Sequence, residues 1–188
     1  MNKDYLVVLD ACVMVGGGLR DTLLRLAESP RLYVPKWSDD IIAETMGVLE
    51  KKFNKTPEQT QHLANELHKA FPEAWVEGYK TLEGGLTNDP KDRHVLAAAI
   101  KSGAQTIVTF NLKDFQSKSV DPFDIEVIHP DHFLVNQFHL DDALVTLKFT
   151  QQVNRIGRTV EQQLQHFHKT RTLPLFTQTL ADAFSIKL

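Results

Sequence analysis

The sequence predicts an α/β domain built on a mostly parallel sheet, with a helical extension behind it. Three observations carry that expectation. "YLVVL" at 5–9 is a short, continuous apolar run bounded by Asp4 and Asp10, the pattern of a strand buried on both faces. "AQTIVTF" at 104–110 and "IEVIHP" at 125–130 read as further buried strands, with capped helical segments between them. From about residue 139, "DDALVTLKFTQQVNRIG", "TVEQQLQHFHKT" and "LPLFTQTLADAF" read as helices with no strand between them.

Taken in order, "GGGLRDTLLRLAE" is a turn and a helix, and "RLYVP" is a second short strand. Ser38 is an N-cap, with Trp37 and Ile42 spaced as a hydrophobic staple, and "DDIIAETMGVLEKKF" continues that helix to about residue 53. "TPEQTQHLANELHKAF" is another capped helix with Pro in its first turn, and "EAWVEGY" has the texture of an edge strand. Asp89 and Pro90 open a helix expected to run to about Ser102. The expected division is an α/β domain over 1–138 and a helical extension over 139–188.

The 188 residues are 42% hydrophobic and 24% charged, with a formal net charge of -3. That balance does not indicate a strongly basic nucleic-acid binder, although a local basic rim is compatible with it. The single cysteine, Cys12, excludes an internal disulfide and any multi-cysteine zinc cluster, and fits a reducing cytosol. No apolar run approaches the length of a membrane span and no signal-peptide layout is visible, so the expected location is cytoplasmic, with no membrane partner.

Asp92 is the first residue that resists a purely structural reading. Val95, Leu96 and Ala99 stand at i+3, i+4 and i+7 from it, which places its carboxylate on the stripe expected to face the core. Glu44 repeats the anomaly among Ile41, Thr45 and Val48. Asp10 directly follows the first buried strand, and Thr109 and Asn111 bracket the end of a later one, so the carboxyl edge of a parallel sheet would collect them. Each acid alone has a plain alternative: Asp92 suits a helix dipole, Glu44 a solvated boundary, Asp10 a strand-end turn. Converging carboxylates repel and raise one another's pKa unless a cation neutralises them. Hard divalent ions such as Mg²⁺ or Mn²⁺ prefer such oxygen donors, and two-metal sites use them for displacement at phosphorus.

"VVLDACV", "WSDDIIAE" and "NDPKDRHVLAAAIKSGAQTIVTFNLKDF" together resemble the PIN domain, specifically the VapC-type toxins of bacterial toxin–antitoxin pairs, over roughly residues 4–135. The resemblance implies a PIN-like fold and an Mg²⁺- or Mn²⁺-dependent ribonuclease. It assigns Asp10, Glu44, Asp92 and Asn111 to the metal and catalytic set. It further implies an antitoxin protein as partner and often a homodimer. Asn111 departs from the all-acid version of the motif, and Asp114 is a candidate substitute or supporting group. Thr109 is placed to hydrogen-bond a carboxylate or meet substrate, and Lys91, Arg93 and Lys113 are candidate phosphate contacts, with Lys36 and Arg20 behind them.

Other classes remain open at this point. A catalytically silent PIN-like module would keep the fold and RNA affinity without cleavage, which the neutral Asn111 favours. A phosphatase of the haloacid-dehalogenase type would need an Asp two residues beyond Asp10, where Cys12 stands. "GGG" at 16–18 lacks Rossmann or P-loop spacing and reads as a flexible turn; His166 and His168 make a poor zinc pattern. His94 adjoins the acidic residues and reads as an ordinary helix residue.

Overall fold

A computed structural model describes residues 5–188. The chain groups into two compact units. The first contains the residues up to Arg20 and Tyr33–Ile128; the second contains Asp21–Leu32 and His129–Leu188.

The first unit holds a four-stranded, all-parallel sheet. In chain order its elements are β1 (Leu6–Leu9), the short helix α1 (Ala11–Met14) and the start of α2 (Gly17–Ala27). Then come β2 (Val34–Lys36), α3 (Asp39–Phe53), α4 (Pro57–Ala70), α5 (Arg93–Ser102), β3 (Thr106–Val108), the short α6 (Ser117–Val120) and β4 (Glu126–Ile128). The strand order is β2-β1-β3-β4. Val7, Val8, Leu9, Ile107 and Val108 are fully buried, as continuous apolar runs require when both faces of a sheet are covered. On α5, Val95 through Ala99 are likewise fully buried.

The helix ends follow their caps. Ser38 accepts from the Ile41 amide at 3.3 Å to open α3, and Asn54 closes it in the left-handed region at φ 50°. Thr56 and Gln59 form a reciprocal capping box at the start of α4, and Gly103, at φ 69°, ends α5.

Three local expectations are corrected. "EAWVEGY" forms no strand: a 3-10 turn at Pro72–Ala74 leads into one isolated parallel bridge between Trp37 and Trp75. Pro72, which has no amide to donate, and Gly78, at φ 70°, confine extended pairing to that point. The segment from Asp89 is not one helix, because Pro90–Asp92 is a 3-10 turn and the α-helix starts at Arg93 with Asp92 as its N-cap residue. Gly17 and Gly18 lie inside the first turn of α2, so the glycine run is largely helical.

The second unit is helical: α7 (Pro130–Leu140), α8 (Asp142–Arg155), α9 (Val160–Thr170) and α10 (Pro174–Ala183), with the segment from Asp21. Helix α7, not foreseen as a helix, begins before the change of texture at residue 139. Phe149 and Phe176 meet edge to face, with ring centroids 6.4 Å apart, and both are buried. Lys148, nearly buried, donates through Nζ to the carbonyls of Glu28 and Ser29, and Thr22 donates to Gln152 Oε1 at 2.8 Å.

Candidate functional site

The register of the parallel ladder assembles the centre of the site. Leu9 pairs with Val108, and the Asp10 amide donates to the Val108 carbonyl at 3.2 Å, so Asp10 and Thr109 leave adjacent strands side by side. Thr109 Oγ1 then donates to Asp10 Oδ2 at 2.6 Å. The Cys12 thiol donates to the same oxygen at 3.1 Å. Oδ2 is thus anchored twice, and Oδ1 of this nearly buried carboxylate has no hydrogen bond among the described residues. One oxygen is fixed by the fold and the other is unspent among the described residues.

Asp92 enters from the turn that precedes α5. Its carboxyl is pushed up to about 6, by burial first and then by the charges of Asp10, Asp114, Glu44 and Asp89. Four acidic side chains thus lie within electrostatic range of Asp92. Glu44 is raised as well, by burial and by Asp10, and His94 acts in the opposite direction. His94 Nε2 stands 3.6 Å from Glu44 Oε2, too far for a hydrogen bond.

Glu44 corrects its sequence reading: its side chain is 51% exposed, so it stands at the mouth of the site and not on a core-facing stripe. Helical periodicity alone does not separate a stripe that faces a core from one that borders a cleft. Thr109 makes the carboxylate hydrogen bond expected of it, and only its alternative role as a substrate contact is corrected. It is completely buried, its hydroxyl accepts from the Asn111 amide at 2.9 Å, and it positions Asp10 with no surface for substrate. Arg20 donates to the Met14 carbonyl and Lys36 to the Glu73 carbonyl, so both cations are engaged by backbone. Asn111 is half-buried at the N-terminal end of a 3-10 turn, Leu112–Asp114, with its amide held by Thr109, and Asp114 in that turn acts on the Asp92 carboxyl. Lys91 and Lys113 are exposed and Arg93 half-buried.

Sequence reasoning missed the role of Cys12. Its thiol is pushed up to about 12, by burial and then by Asp10, so it stays protonated and serves as a donor. Its spacing of two residues from Asp10 is the available signal, since a strand that turns directly into α1 folds that side chain back on the carboxylate.

Among the described residues, no group of three or more His, Cys, Asp or Glu side chains is arranged to hold a metal ion. The donor chemistry nevertheless fits a hard divalent cation. The set is all oxygen, burial and then neighbouring carboxylates raise the proton affinity of Asp92 and Glu44, and among the described residues no Lys or Arg forms an ion pair with Asp10, Glu44 or Asp92.

An acidic cluster at the carboxyl edge of a four-stranded parallel sheet, fed by a strand-end Asp and a helix-start Asp, defines a class of α/β domain. Residues 6–113, more than half of the chain, match the PIN domain, and the chain belongs to that family. Within it the similarity is to VapC-type proteins: a Mycobacterium tuberculosis protein named "Putative ribonuclease VapC50" is 46% identical over 67 residues. That match spans 36% of this chain and 40% of the relative's length. No described helix is long and apolar enough to cross a membrane.

Proposed function

We propose that the chain is a divalent-metal-dependent endoribonuclease, the toxin component of a toxin–antitoxin pair acting in the cytoplasm. The observation that carries the reading is the half-anchored Asp10. Its Oδ2 is held by Thr109 and Cys12, and its Oδ1 is unspent among the described residues, beside an Asp92 carboxyl that burial and then neighbouring carboxylates push up to about 6. Family membership and the partial similarity to a VapC protein support it.

In this reading Asp10 and Asp92 are the principal ligands for Mg²⁺ or Mn²⁺, with Asn111 and Asp114 completing the set. Bound there, the cation supplies Lewis acidity at the phosphodiester. Glu44, at the mouth and with a raised proton affinity, accepts a proton from the attacking water or adds a ligand oxygen. Thr109 and Cys12 keep Asp10 oriented. Lys91, Arg93 and Lys113 contact the RNA backbone. The partners are an RNA substrate, a cognate antitoxin protein and a second copy of the chain.

The test is incubation of the purified protein with assorted RNAs in Mn²⁺, in chelator, and as Asp10→Asn. Cleavage is expected in Mn²⁺ alone, with the substitution lowering the rate about a thousandfold, since metal-mediated charge stabilisation is worth several kcal/mol. Cleavage that survives both treatments overturns the mechanism. RNA binding with no cleavage in any metal identifies a silent binding module, the outcome that the neutral Asn111 would favour.

A further inference from the structure

A pocket of about 400 Å³ opens in the first unit, lined among others by Asn88, Asp89, Arg93, Lys113, Asp114 and Lys118. It adjoins the acidic rim, because Asp89 and Asp114 belong to its wall and also act on the Asp92 carboxyl. Three cations face two carboxylates there, a local positive excess on a chain whose formal net charge is -3. Neither Lys113 nor Lys118 is held in an ion pair among the described residues, and Arg93 only reaches the Asn88 carbonyl at 3.5 Å.

The wall contains one further anomaly. Asn88 is 3% exposed, and among the described residues neither its Nδ2 nor its Oδ1 has a hydrogen-bond partner. Its neighbours are engaged: Thr87 bonds Ser119 at 3.0 Å, and Asp89 accepts from the Lys91 amide at 3.0 Å. A buried amide left unsatisfied is costly, and it persists where something else depends on it. No aromatic ring lines the pocket, so it offers no platform on which a base could stack. Its cations and its unspent amide suit an anionic oxygen.

We propose that this pocket is a phosphate subsite. It takes the backbone phosphate of the RNA strand next to the one placed at the acidic rim, with Arg93, Lys113 and Lys118 supplying charge and the Asn88 amide a fixed donor beneath them. The proposal rests on the ribonuclease reading and adds to it Asn88, Lys118 and a direction for the strand, along the 3-10 turns at Pro90–Asp92 and Leu112–Asp114.

The test follows a short single-stranded RNA by anisotropy on the full chain in Ca²⁺, over about 50 to 200 mM salt, beside Mn²⁺-dependent cleavage of the same RNA. The double variant Lys113→Gln, Lys118→Gln should bind about tenfold more weakly, with a salt slope shallower by about 1.4, at roughly 0.7 per phosphate contact on a single strand. Asn88→Ala should also bind more weakly while its melting temperature stays level or rises, because an unsatisfied amide has been removed. The pair Lys51→Gln, Lys52→Gln, in the last turn of α3, is the control and should leave affinity and slope unchanged. If wild type cleaves RNA but the pocket variants keep its affinity and slope, or if the control falls equally, the subsite is wrong and the ribonuclease reading stands. An Asn88→Ala variant that melts lower and binds as wild type makes that residue purely structural and removes it from the subsite. A wild-type protein that neither binds nor cleaves RNA overturns both readings together.

Discussion

Two carboxylates, Asp92 and Asp131, show opposite ways of placing a charge inside this chain. Asp131, in the second unit, is 3% exposed, and its two oxygens accept from the Leu175 and Phe176 amides at 2.9 and 2.8 Å. Those amides are orphan donors at the start of α10, where the helix dipole also favours a negative charge. Asp92, in the first unit, sits in a turn where burial and then other acids raise its proton affinity. The first carboxylate is settled by the fold. Among the described residues no hydrogen bond or cation holds the second carboxylate, and the contrast separates a charge that builds structure from one that the fold leaves uncompensated.

The comparison breaks most sharply at Asp131. Asp131→Ala should cost about 3 kcal/mol of stability, since two buried, charge-assisted hydrogen bonds are lost and two helix-end amides are left bare. Chemical denaturation measures it directly. The rim should be unaffected, so cleavage per folded molecule should match wild type; a stability loss under about 1 kcal/mol would mean that water replaces the carboxylate at α10.

A smaller effect is expected at Thr109. Thr109→Val keeps the volume of a fully buried side chain but removes the donor to Asp10 Oδ2 and the acceptor for the Asn111 amide. Groups that orient metal ligands typically contribute 10- to 100-fold, so about a tenfold fall in activity, or a tenfold higher Mn²⁺ requirement, is expected. Restoration by Thr109→Ser would show that the hydroxyl, and not the packing, is responsible. Equal metal dependence in Thr109→Val and wild type would place Asp10 outside the metal set.

How far the sequence exposes this contrast depends on how local each signal is. β1 and β3 are legible because a continuous apolar run ending in Asp10 or Asn111 has few other homes in an α/β chain. The adjacency of Asp10 and Thr109 is not local: it follows from the Leu9–Val108 register, which no single segment specifies. Glu44 is half-exposed beside the acidic cluster, and a 3.6-residue period does not distinguish such a border from a core. Asp131 carries no local signal, since its partners lie far along the chain and only the approach of α10 to α7 explains it. Asn88 was equally silent, because an Asn before Asp-Pro reads as an ordinary turn residue.

The smallest effect sharpens the comparison from the other side. Asp92 has a folded-state pKa of about 6, above its usual carboxylate value of 3.8, so the folded protein holds this proton more tightly than the unfolded chain does. Its charge therefore destabilises the fold above about pH 6, and the penalty is relieved progressively as pH falls from about 6 toward 4. Asp92→Asn, assayed in chelator, should be more stable than wild type at pH 7.5 by about 1 kcal/mol once solvent screening of a half-exposed group is allowed for. The advantage should vanish below about pH 4, where wild type is neutral at this position as well. Added Mn²⁺ should reverse the order at pH 7.5 by stabilising wild type through binding to the folded state, an effect the amide variant should largely lose. If the variant were less stable than wild type at neutral pH in chelator, Asp92 would be serving its helix as Asp131 serves α10, and the distinction between the two carboxylates would collapse.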